Sequence, residues 1–200
     1  MIKNQISKAT LGRMPKYLEF LKSASQTYIS SSAIAKALSL GEVQVRKDLS
    51  AICGKGKPKI GYLRTDLIDC IEEYTEPDTL TYAVMVGAGK LGKALFDYRG
   101  FDEFGIKIIS IFDNNEELIR QDDRILSMSQ FEEQCSKYGV KIGIIAVNKE
   151  SAQSVCELMI KNNIKAIWNF APCQLRVPED VVFKQENLAL SLAHLKNRIG

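Results

Sequence analysis

The feature that most constrains this chain is a glycine-rich run at residues 87–92, with the sequence GAGKLG. It follows an apolar run at residues 82–86 (YAVMV) and precedes a helical pattern at residues 93–96 (KALF). In such a strand–turn–helix unit the first glycine permits the sharp turn, the second lets a phosphate approach the backbone, and the third lets the helix pack against its strand. The N-terminus of the new helix faces the anion. The run therefore predicts a phosphate cradle.

A carboxylate further along the chain favours a dinucleotide as the ligand. Residues 106–112 (IKIISIF) predict a second strand that ends at Asp113, 21 residues after Gly92. This is close to the spacing at which an acidic side chain binds the ribose hydroxyls. Asn114 and Asn115 stand where the 2′-phosphate of NADP would require a basic residue, so NAD(H) is the expected cofactor. A bare strand-to-helix turn, a mononucleotide site and a CoA site on the same fold are the alternatives.

The composition is that of a globular protein with one large domain or two small ones. Its 200 residues are 46% hydrophobic, enough to bury a core and too apolar for a disordered chain. No run approaches the roughly 18 consecutive apolar residues of a membrane helix, and the polar N-terminus lacks a signal-peptide pattern. We therefore expect a cytoplasmic protein with no membrane partner. The five cysteines are scattered without a C-x-x-C pair, which favours reduced thiols and no metal site.

Charge divides the chain into two parts. Residues 1–75 carry 12 Lys and Arg against 7 Asp and Glu, a net charge of +5, whereas the remainder carries 15 against 17, a net charge of −2. A basic N-terminal part is typical of a polyanion-binding domain. Proline and short polar residues at 76–79 (EPDT) mark the boundary. We expect a DNA-binding domain at 1–76, a Rossmann-like domain at 80–184 and a dimerisation helix at 185–200.

The N-terminal third has the pattern of a helix-turn-helix. Residues 15–24 and 31–38 carry apolar side chains at helical spacing, and a turn containing Gly41 separates them from a third helix at 43–52. On this third helix we expect one face to be core (Val45, Leu49, Ile52) and the other exposed (Gln44, Arg46, Lys47, Asp48, Ala51). Glutamine, lysine and arginine at the start of a recognition helix suit base edges and phosphates. An ordinary solvated face is the alternative.

A basic, glycine-rich segment follows the third helix. Residues 53–62 (CGKGKPKIGY) hold three lysines within five positions, and residues 64–73 then predict another helix. We interpret the segment as the β-hairpin wing of a winged helix, in reach of phosphates or a minor groove. The first domain is therefore expected to be a winged helix-turn-helix, mainly α with a β-hairpin wing.

Blocks along nearly the whole chain match one family. They are residues 8–11 (KATL), 44–50 (QVRKDLS), 86–89 (VGAG), 91–92 (LG), Tyr98 with 100–101 (GF), 112–113 (FD), 169–172 (NFAP) and 186–187 (EN). On these blocks the chain resembles the Rex redox-sensing transcriptional repressors. The resemblance implies a homodimer that binds operator DNA, represses genes of fermentation and respiration, and senses the NADH/NAD⁺ ratio. It also implies release from DNA by NADH, and a C-terminal helix swapped between the subunits.

The resemblance assigns roles to individual residues. The DNA-binding residues would be Gln44, Arg46 and Lys47 on the helix, with Lys57 and Lys59 on the wing. The pyrophosphate would lie on Gly87, Ala88, Gly89, Lys90, Leu91 and Gly92, and the adenosine ribose on Asp113. Tyr98, Asn169 and Phe170 would lie near the nicotinamide. Core packing is the alternative for Phe170, and the Asn169 amide could bond either ligand or backbone.

The last helix carries an apolar stripe. Leu188, Leu192, Leu195 and Ile199 recur at i, i+4, i+7 and i+11. Such a stripe needs a partner surface, which could be its own domain or a second subunit. The resemblance favours the second subunit.

The chain departs from the family pattern at functional places. It has 51–53 (AIC) where the family has Tyr-Phe-Gly, 58–59 (PK) where the family has Arg-Gly, and 146–148 (AVN) where it has Thr-Val-Pro. Glu19 and Ala189 stand where the family has an Arg on the first helix and an Asp on the swapped helix. A switch requires different affinities in its two states. We therefore expect weakened discrimination between NADH and NAD⁺, or a different effector.

Two rival functions remain open at this level. An oxidoreductase is disfavoured because the only histidine, His194, lies on the terminal helix and no Ser/His/Asp or Cys/His arrangement is visible. We expect no catalytic site and no enzyme activity. A CoA-binding regulator is the second rival, because the C-terminal domain also resembles CoA-binding Rossmann modules.

Overall fold

The computed structural model describes residues 6–75 and 80–199. The chain forms two compact units, residues 1–78 and 79–200. The predicted boundary segment, residues 76–79, lies outside the described residues.

The N-terminal unit is a winged helix. Its elements are α1 (Lys8–Leu11), α2 (Met14–Ser23), β1 (Tyr28–Ile29), α3 (Ser31–Ala37), α4 (Glu42–Cys53), β2 (Tyr62–Leu63) and α5 (Arg64–Thr75). Ser30 caps α3 by accepting a hydrogen bond from the Ala33 amide at 3.1 Å. The core-facing prediction for α4 is confirmed, because Val45 and Leu49 are fully buried and Ile52 is 8% exposed. Helix α4 therefore packs its apolar face against the core, and Gln44, Arg46 and Lys47 are exposed on the opposite side.

The wing is shorter than a full hairpin. Strand β2 pairs antiparallel with β1, which precedes the helix-turn-helix, rather than with the segment that leaves α4. The basic segment closes on itself only through Lys57 and Gly61, whose amide groups and carbonyls bond at 2.7 and 2.8 Å. The tip is a tight turn of residues 58–60. All three lysines of the segment are exposed, with Lys59 on the turn itself and Lys55 and Lys57 before it.

The C-terminal unit is a parallel sheet with helices on both faces. Its strands are β3 (Thr81–Val86), β4 (Ile106–Asp113), β5 (Ile125–Ser127), β6 (Ile142–Ile145), β7 (Ala166–Asn169) and β8 (Val182–Gln185). Its α-helices are α6 (Lys90–Phe96), α7 (Glu116–Gln121), α8 (Phe131–Tyr138), α9 (Lys149–Lys161) and α10 (Leu188–Ile199), with 3₁₀ turns at Arg99–Phe104 and Met128–Gln130.

The strand order identifies the sheet as a Rossmann fold. The order is β5-β4-β3-β6-β7-β8, and every pair is parallel. Relative to the first strand of this unit this is the order 3-2-1-4-5-6 of dinucleotide-binding domains, in which ligands lie where the order reverses. Here the reversal falls between β3 and β6. Apolar cores cover both faces, one around Phe112, Phe131 and Met159 and the other around Met85 and Ile144.

Helix α10 differs from every other helix of this unit in lacking cover for its apolar side chains. Leu188 is 60%, Leu192 68%, Leu195 59% and Ile199 88% exposed. The chain's own domain therefore does not cover the predicted stripe. Among the described residues, no helix has the length and apolar character needed to cross a membrane.

The cysteines are free thiols. Cys135 and Cys156 are buried, and the other three are half-buried. Burial raises the pKa of the Cys135 thiol to about 11. Within residues 6–75 and 80–199, no group of His, Cys, Asp and Glu side chains is arranged to hold a metal ion.

Candidate dinucleotide and DNA sites

A cleft of about 450 Å³ opens where the strand order reverses. It lies between the glycine loop after β3, the end of β4 and the start of α9. Its lining residues include Gly87, Gly89, Asp113, Asn114, Asn148 and Ser151. The structure thus places the glycine run and Asp113 on the same cleft.

The three glycines of the run meet three different requirements. Gly87 has φ of +108°, and an added Cβ would lie 2.5 Å from the carbonyl oxygen of Ala146. A Cβ on Gly92 would collide with the carbonyl oxygen of Gly87. Nothing lies within 4 Å of a Cβ on Gly89, so the backbone there faces open space. This is the division expected of a phosphate cradle, because Gly87 and Gly92 shape the loop and Gly89 leaves room for the ligand.

Asp113 ties the end of β4 to the glycine loop. Its Oδ2 accepts a hydrogen bond from the Ala88 amide at 2.7 Å, and its Oδ1 accepts one from the Asn115 amide at 2.9 Å. An ionised carboxylate can accept about four hydrogen bonds, so both oxygens retain capacity for ribose hydroxyls. The carboxylate is half-buried and lies at the cleft. It can therefore position the loop and bind a ligand at the same time.

The remaining residues of the run differ in exposure. Ala88 is 1% exposed, so only its backbone can serve a ligand. Lys90 and Leu91 begin α6 and are exposed. Lys90 is the only charged side chain of the run and stands directly after the open Gly89. Its ammonium group can neutralise a bound pyrophosphate.

Tyr98 and Phe170 are joined by a row of four aromatic rings. The ring centroids of Tyr98 and Phe101 are 5.1 Å apart, those of Phe101 and Trp168 5.9 Å, and those of Trp168 and Phe170 4.5 Å. Tyr98 is 59% exposed, whereas Phe170 is half-buried against the core. Part of the Phe170 side chain therefore packs against the core, as the packing alternative expects, and the rest is accessible. Trp168 was not predicted from the sequence, because its contact with Phe101 joins residues that are far apart in the chain.

Asn169 uses its side chain within the protein. It is fully buried, its Nδ2 donates to Gln185 Oε1 at 2.7 Å and to the Cys173 carbonyl at 3.2 Å, and its Oδ1 accepts from the Ala171 amide at 3.0 Å. Of the two alternatives for this amide, the structure shows the bond to the backbone. The side chain holds the turn that carries Phe170.

A basic groove of about 800 Å³ separates α4 from the wing. Five cationic side chains line it, namely Arg46, Lys47, Lys55, Lys57 and Lys59. Gln44 and Lys47 border a second concavity of about 600 Å³ on the opposite flank of α4. The structure therefore brings all five predicted DNA-binding residues to one helix and its neighbouring turn, and all five are exposed. Lys55 also lines the groove, although it was not among the predicted DNA-binding residues.

Lys59 has a backbone conformation that side chains rarely adopt. Its φ is +64°, in the left-handed region that favours glycine. The family pattern has glycine at this position. The wing therefore has a positive charge at its tip, at the cost of a backbone conformation that is strained for lysine.

Asp48 was expected on the exposed face of α4, and this expectation is wrong. The residue is 4% exposed and its carboxylate accepts four hydrogen bonds. They come from Arg13 Nε at 2.7 Å and Nη2 at 2.9 Å, Tyr17 Oη at 2.7 Å and Thr10 Oγ1 at 2.9 Å. A signal was present in the sequence, because Asp48 lies three residues after Val45 and four before Ile52 and so falls within the apolar stripe.

The network has matching electrostatics. Burial would raise the pKa of Asp48, but the hydrogen bonds from Arg13, Tyr17 and Thr10 outweigh it and lower that pKa below its usual value. Burial and the bond to Asp48 raise the pKa of Tyr17 to about 12. The bond to Asp48 also raises the pKa of Arg13. An ionised carboxylate, a neutral phenol and a guanidinium therefore fasten α4 to α1 and α2 at neutral pH.

Comparisons with known proteins agree with both halves of this architecture. Residues 5–50 match the family model "Putative DNA-binding protein N-terminus", and residues 78–173 match "CoA binding domain". The redox-sensing transcriptional repressor Rex of Bacteroides fragilis is 34% identical over 98% of this chain and 92% of its own length. Rex of Treponema denticola is 36% identical over 98% and 96%.

Solved structures show the same likeness. The crystal structure of RSP, a Rex-family repressor, in complex with β-NAD⁺ and operator DNA has a TM-score of 0.81 at 29% identity, covering 97% of this chain and 92% of RSP. RSP in complex with β-NADH has a TM-score of 0.82 at 28% identity, covering 98% and 95%. Identity of this extent over nearly the full length shows that the chain belongs to the Rex family of redox-sensing transcriptional repressors.

Proposed function

We propose that this chain is a transcriptional repressor that binds operator DNA through its N-terminal unit and NAD(H) through its C-terminal unit. One observation carries the proposal above the others. The cleft at the strand reversal combines an open Gly89 backbone with the Asp113 carboxylate, in a chain whose other unit presents a recognition helix and a basic groove. The names of the relatives and the ligands of the RSP structures support it.

The DNA contacts follow from the exposed residues of α4 and the wing. Gln44, Arg46 and Lys47 read base edges and phosphates from the major groove, and Lys57 and Lys59 bind the backbone from the wing. Arg46 is suited to two acceptors at once, because its guanidinium is a rigid fork. We propose residues 1–76 as the DNA-binding domain, 80–184 as the NAD(H)-binding domain and 185–200 as the dimerisation helix.

The residues of the cleft fit NAD(H). Gly89 and the amides around it receive the pyrophosphate, Lys90 supplies a positive charge, and Asp113 accepts hydrogen bonds from the adenosine ribose. Tyr98 and Phe170 do not line this cleft and would lie near the nicotinamide beyond it, and Asn169 positions the turn of Phe170 through its internal hydrogen bonds. When bound, the cofactor supplies a ring that is positively charged in NAD⁺ and neutral in NADH.

A CoA-type ligand is the second candidate, favoured by the family-model match over residues 78–173. Thermal-shift measurements with NAD⁺, NADH, NADP⁺ and CoA separate the two candidates. Stabilisation by NAD(H) alone supports the proposal, and stabilisation by CoA alone overturns it.

The dimer is proposed to form through α10. The helix leaves Leu188, Leu192, Leu195 and Ile199 exposed, and such a stripe is stable in water only against another apolar surface. A second copy of the chain, receiving the helix as in the domain exchange that the resemblance implies, is the occupant we propose. Sedimentation of the full chain as a dimer, and of Leu192→Asp as a monomer, is the expected result.

The response to redox state is proposed to be weak. Glu19 on α2 and Ala189 on α10 are both exposed. They stand at the positions where the family pattern has an Arg and an Asp, so both of those charges are missing. NAD⁺ and NADH then differ less in their effect on DNA binding. The relatives are repressors, and we propose that this cytoplasmic chain likewise has no enzyme activity. His194 is an exposed residue of α10.

A further inference from the structure

Trp168 makes both a polar contact and two aromatic contacts through its indole. Its Nε1 donates to Glu186 Oε1 at 3.2 Å. Its ring lies 4.5 Å from that of Phe170 and 5.9 Å from that of Phe101. Aromatic pairs at these separations attract each other beyond their burial alone. The indole therefore has a fixed orientation between two parts of the unit.

One of these parts is the proposed nicotinamide site. Phe170 is itself one of the residues proposed there, and Phe101 continues the row to Tyr98. Tyr98 folds back across Gly100, where a Cβ would lie 2.5 Å from atoms of its ring. Phe170 contacts the Trp168 ring directly and Tyr98 reaches it through Phe101, so displacement of either ring by a ligand disturbs the packing around Trp168.

The other part is the start of α10. Glu186 donates its backbone N–H to the Asn169 carbonyl at 2.8 Å, and Asn187 caps α10 by accepting from the Leu190 amide at 2.8 Å. None of the residues Leu188–Ile199 is buried. The direction in which α10 leaves the sheet is consequently set at Glu186 and Asn187.

From these contacts we infer that Trp168 is a positioning residue that joins the proposed nicotinamide site, at Phe170 and Tyr98, to the start of α10. The inference rests on the proposed function, and it specifies a route by which a bound cofactor changes the dimer and its DNA affinity. The route uses neither Glu19 nor Ala189. Coupling between two sites requires an element that both of them bias, and here that element is α10 with Glu186 at its base.

The test is the ratio of the operator dissociation constants of the full chain with saturating NADH and without it. Because NADH is saturating, a variant that merely binds NADH more weakly gives the same ratio as the wild type. Trp168→Phe keeps a ring but loses the N–H donor, and Glu186→Ala loses the acceptor. Both are expected to lower the ratio by at least about threefold, within the range by which mutations between two sites change their coupling.

Two variants serve as controls. Glu186→Gln keeps an acceptor oxygen, so it is expected to retain the wild-type ratio. Lys184→Ala removes the ammonium group that lies 3.6 Å from the same Glu186 oxygen and leaves the Trp168 bond in place. Its ratio is also expected to be unchanged. If Trp168 and Glu186 had only a structural role, the variants would be less stable, but the ratio of dissociation constants would not differ between Glu186→Gln and Glu186→Ala.

The outcomes separate the inference from the function on which it rests. A wild-type ratio in both Trp168→Phe and Glu186→Ala overturns the inference and leaves the repressor function standing. Loss of coupling in Glu186→Ala alone also overturns it, because the route then bypasses Trp168. A ratio of one in the wild type contradicts the proposed function itself.

Discussion

The guanidinium of Arg13 on the loop before α2 binds the carboxylate of Asp48 on α4 through two hydrogen bonds, Nε to Oδ2 at 2.7 Å and Nη2 to Oδ1 at 2.9 Å. Asp48 directly follows Lys47, which is proposed to contact DNA. This paired geometry fixes the rotation of α4 about its axis, because a two-point contact between fork and carboxylate has one favourable orientation. The orientation of the helix side that is proposed to face DNA is therefore set from its buried side.

Replacement of Asp48 by Asn should destabilise the N-terminal unit strongly. The change leaves Arg13 without its anion and Tyr17 with a weaker acceptor, and breaking such a pair costs about 3 kcal/mol. Chemical denaturation of the full chain measures the free energy of unfolding. Asp69→Asn on α5 is the matched control, because Asp69 is exposed and its replacement is expected to cost less than about 0.5 kcal/mol. Equal effects of the two changes would contradict the assignment.

The same carboxylate predicts an acid dependence of stability. The pKa of Asp48 is lower in the folded chain than the ordinary value of 3.8. The group therefore stabilises the fold fully above pH 3.8, and this contribution is lost as the pH falls through the lower folded-state pKa. The difference in unfolding free energy between wild type and Asp48→Asn should be constant near neutral pH and shrink below pH 3.8. A difference that grew on acidification would be inconsistent with the network.

At the wing tip, two replacements of Lys59 separate strain from charge. Lys59→Gly removes the side chain that disfavours φ of +64°, whereas Lys59→Ala keeps the strained conformation. The glycine variant should be more stable than the alanine variant by about 0.5–1 kcal/mol. Both should bind DNA more weakly, with a log–log salt slope reduced by about 1, because each loses one phosphate contact. Thermal unfolding and salt-dependent DNA titrations check the two parts separately.

In the glycine loop, alanine at two positions should have opposite consequences. Gly87→Ala forces a Cβ against the Ala146 carbonyl at a positive φ, so the C-terminal unit should unfold more readily. Gly89→Ala meets no protein atom, so the fold should persist while the NAD(H) dissociation constant rises by about tenfold or more, at least about 1.4 kcal/mol. Calorimetric unfolding and NADH titration distinguish the cases. Unchanged NADH affinity in Gly89→Ala would remove the pyrophosphate from this loop.

Restoring the family charges should sharpen the redox response. The double variant Glu19→Arg with Ala189→Asp reintroduces an Arg and an Asp at the positions where the family pattern has them. Its NADH preference over NAD⁺ is expected to exceed that of the wild type, whose two dissociation constants should lie within about tenfold of each other. Ligand titrations of both proteins measure the preference. A large NADH preference in the wild type, with loss of DNA binding, would contradict the weakened discrimination.

The sequence predicted best what short-range geometry dictates. Gly87, Gly89 and Gly92 were assigned distinct tasks from spacing alone, and the backbone at each agrees, because turn conformation and close packing act over a few residues. The apolar stripe of α4 was likewise predicted from the spacing of Val45 and Leu49, and both are buried. The Rossmann-like domain was predicted from the strand, glycine turn and helix at residues 82–96 and from the second strand that ends at Asp113, which are again short-range features.

Side-chain networks were predicted least well, because their partners are distant in the chain. Asp48 is buried only because Thr10, Arg13 and Tyr17 converge on it from more than thirty positions away. The amide of Asn169 is likewise satisfied by Gln185, 16 residues later. Periodicity reports which side of a helix is apolar, and it does not report which polar residue on that side finds partners.

The most direct test of the central claim is a DNA mobility shift with titrated NAD⁺ and NADH, on a duplex that the protein has selected from random sequence. We expect the protein–DNA complex to dissociate as NADH rises, and the midpoint of the NAD⁺ titration to differ from that of NADH by less than about tenfold. A complex that persists unchanged at NADH concentrations shown by thermal shift to saturate the protein would show that NADH does not control DNA binding.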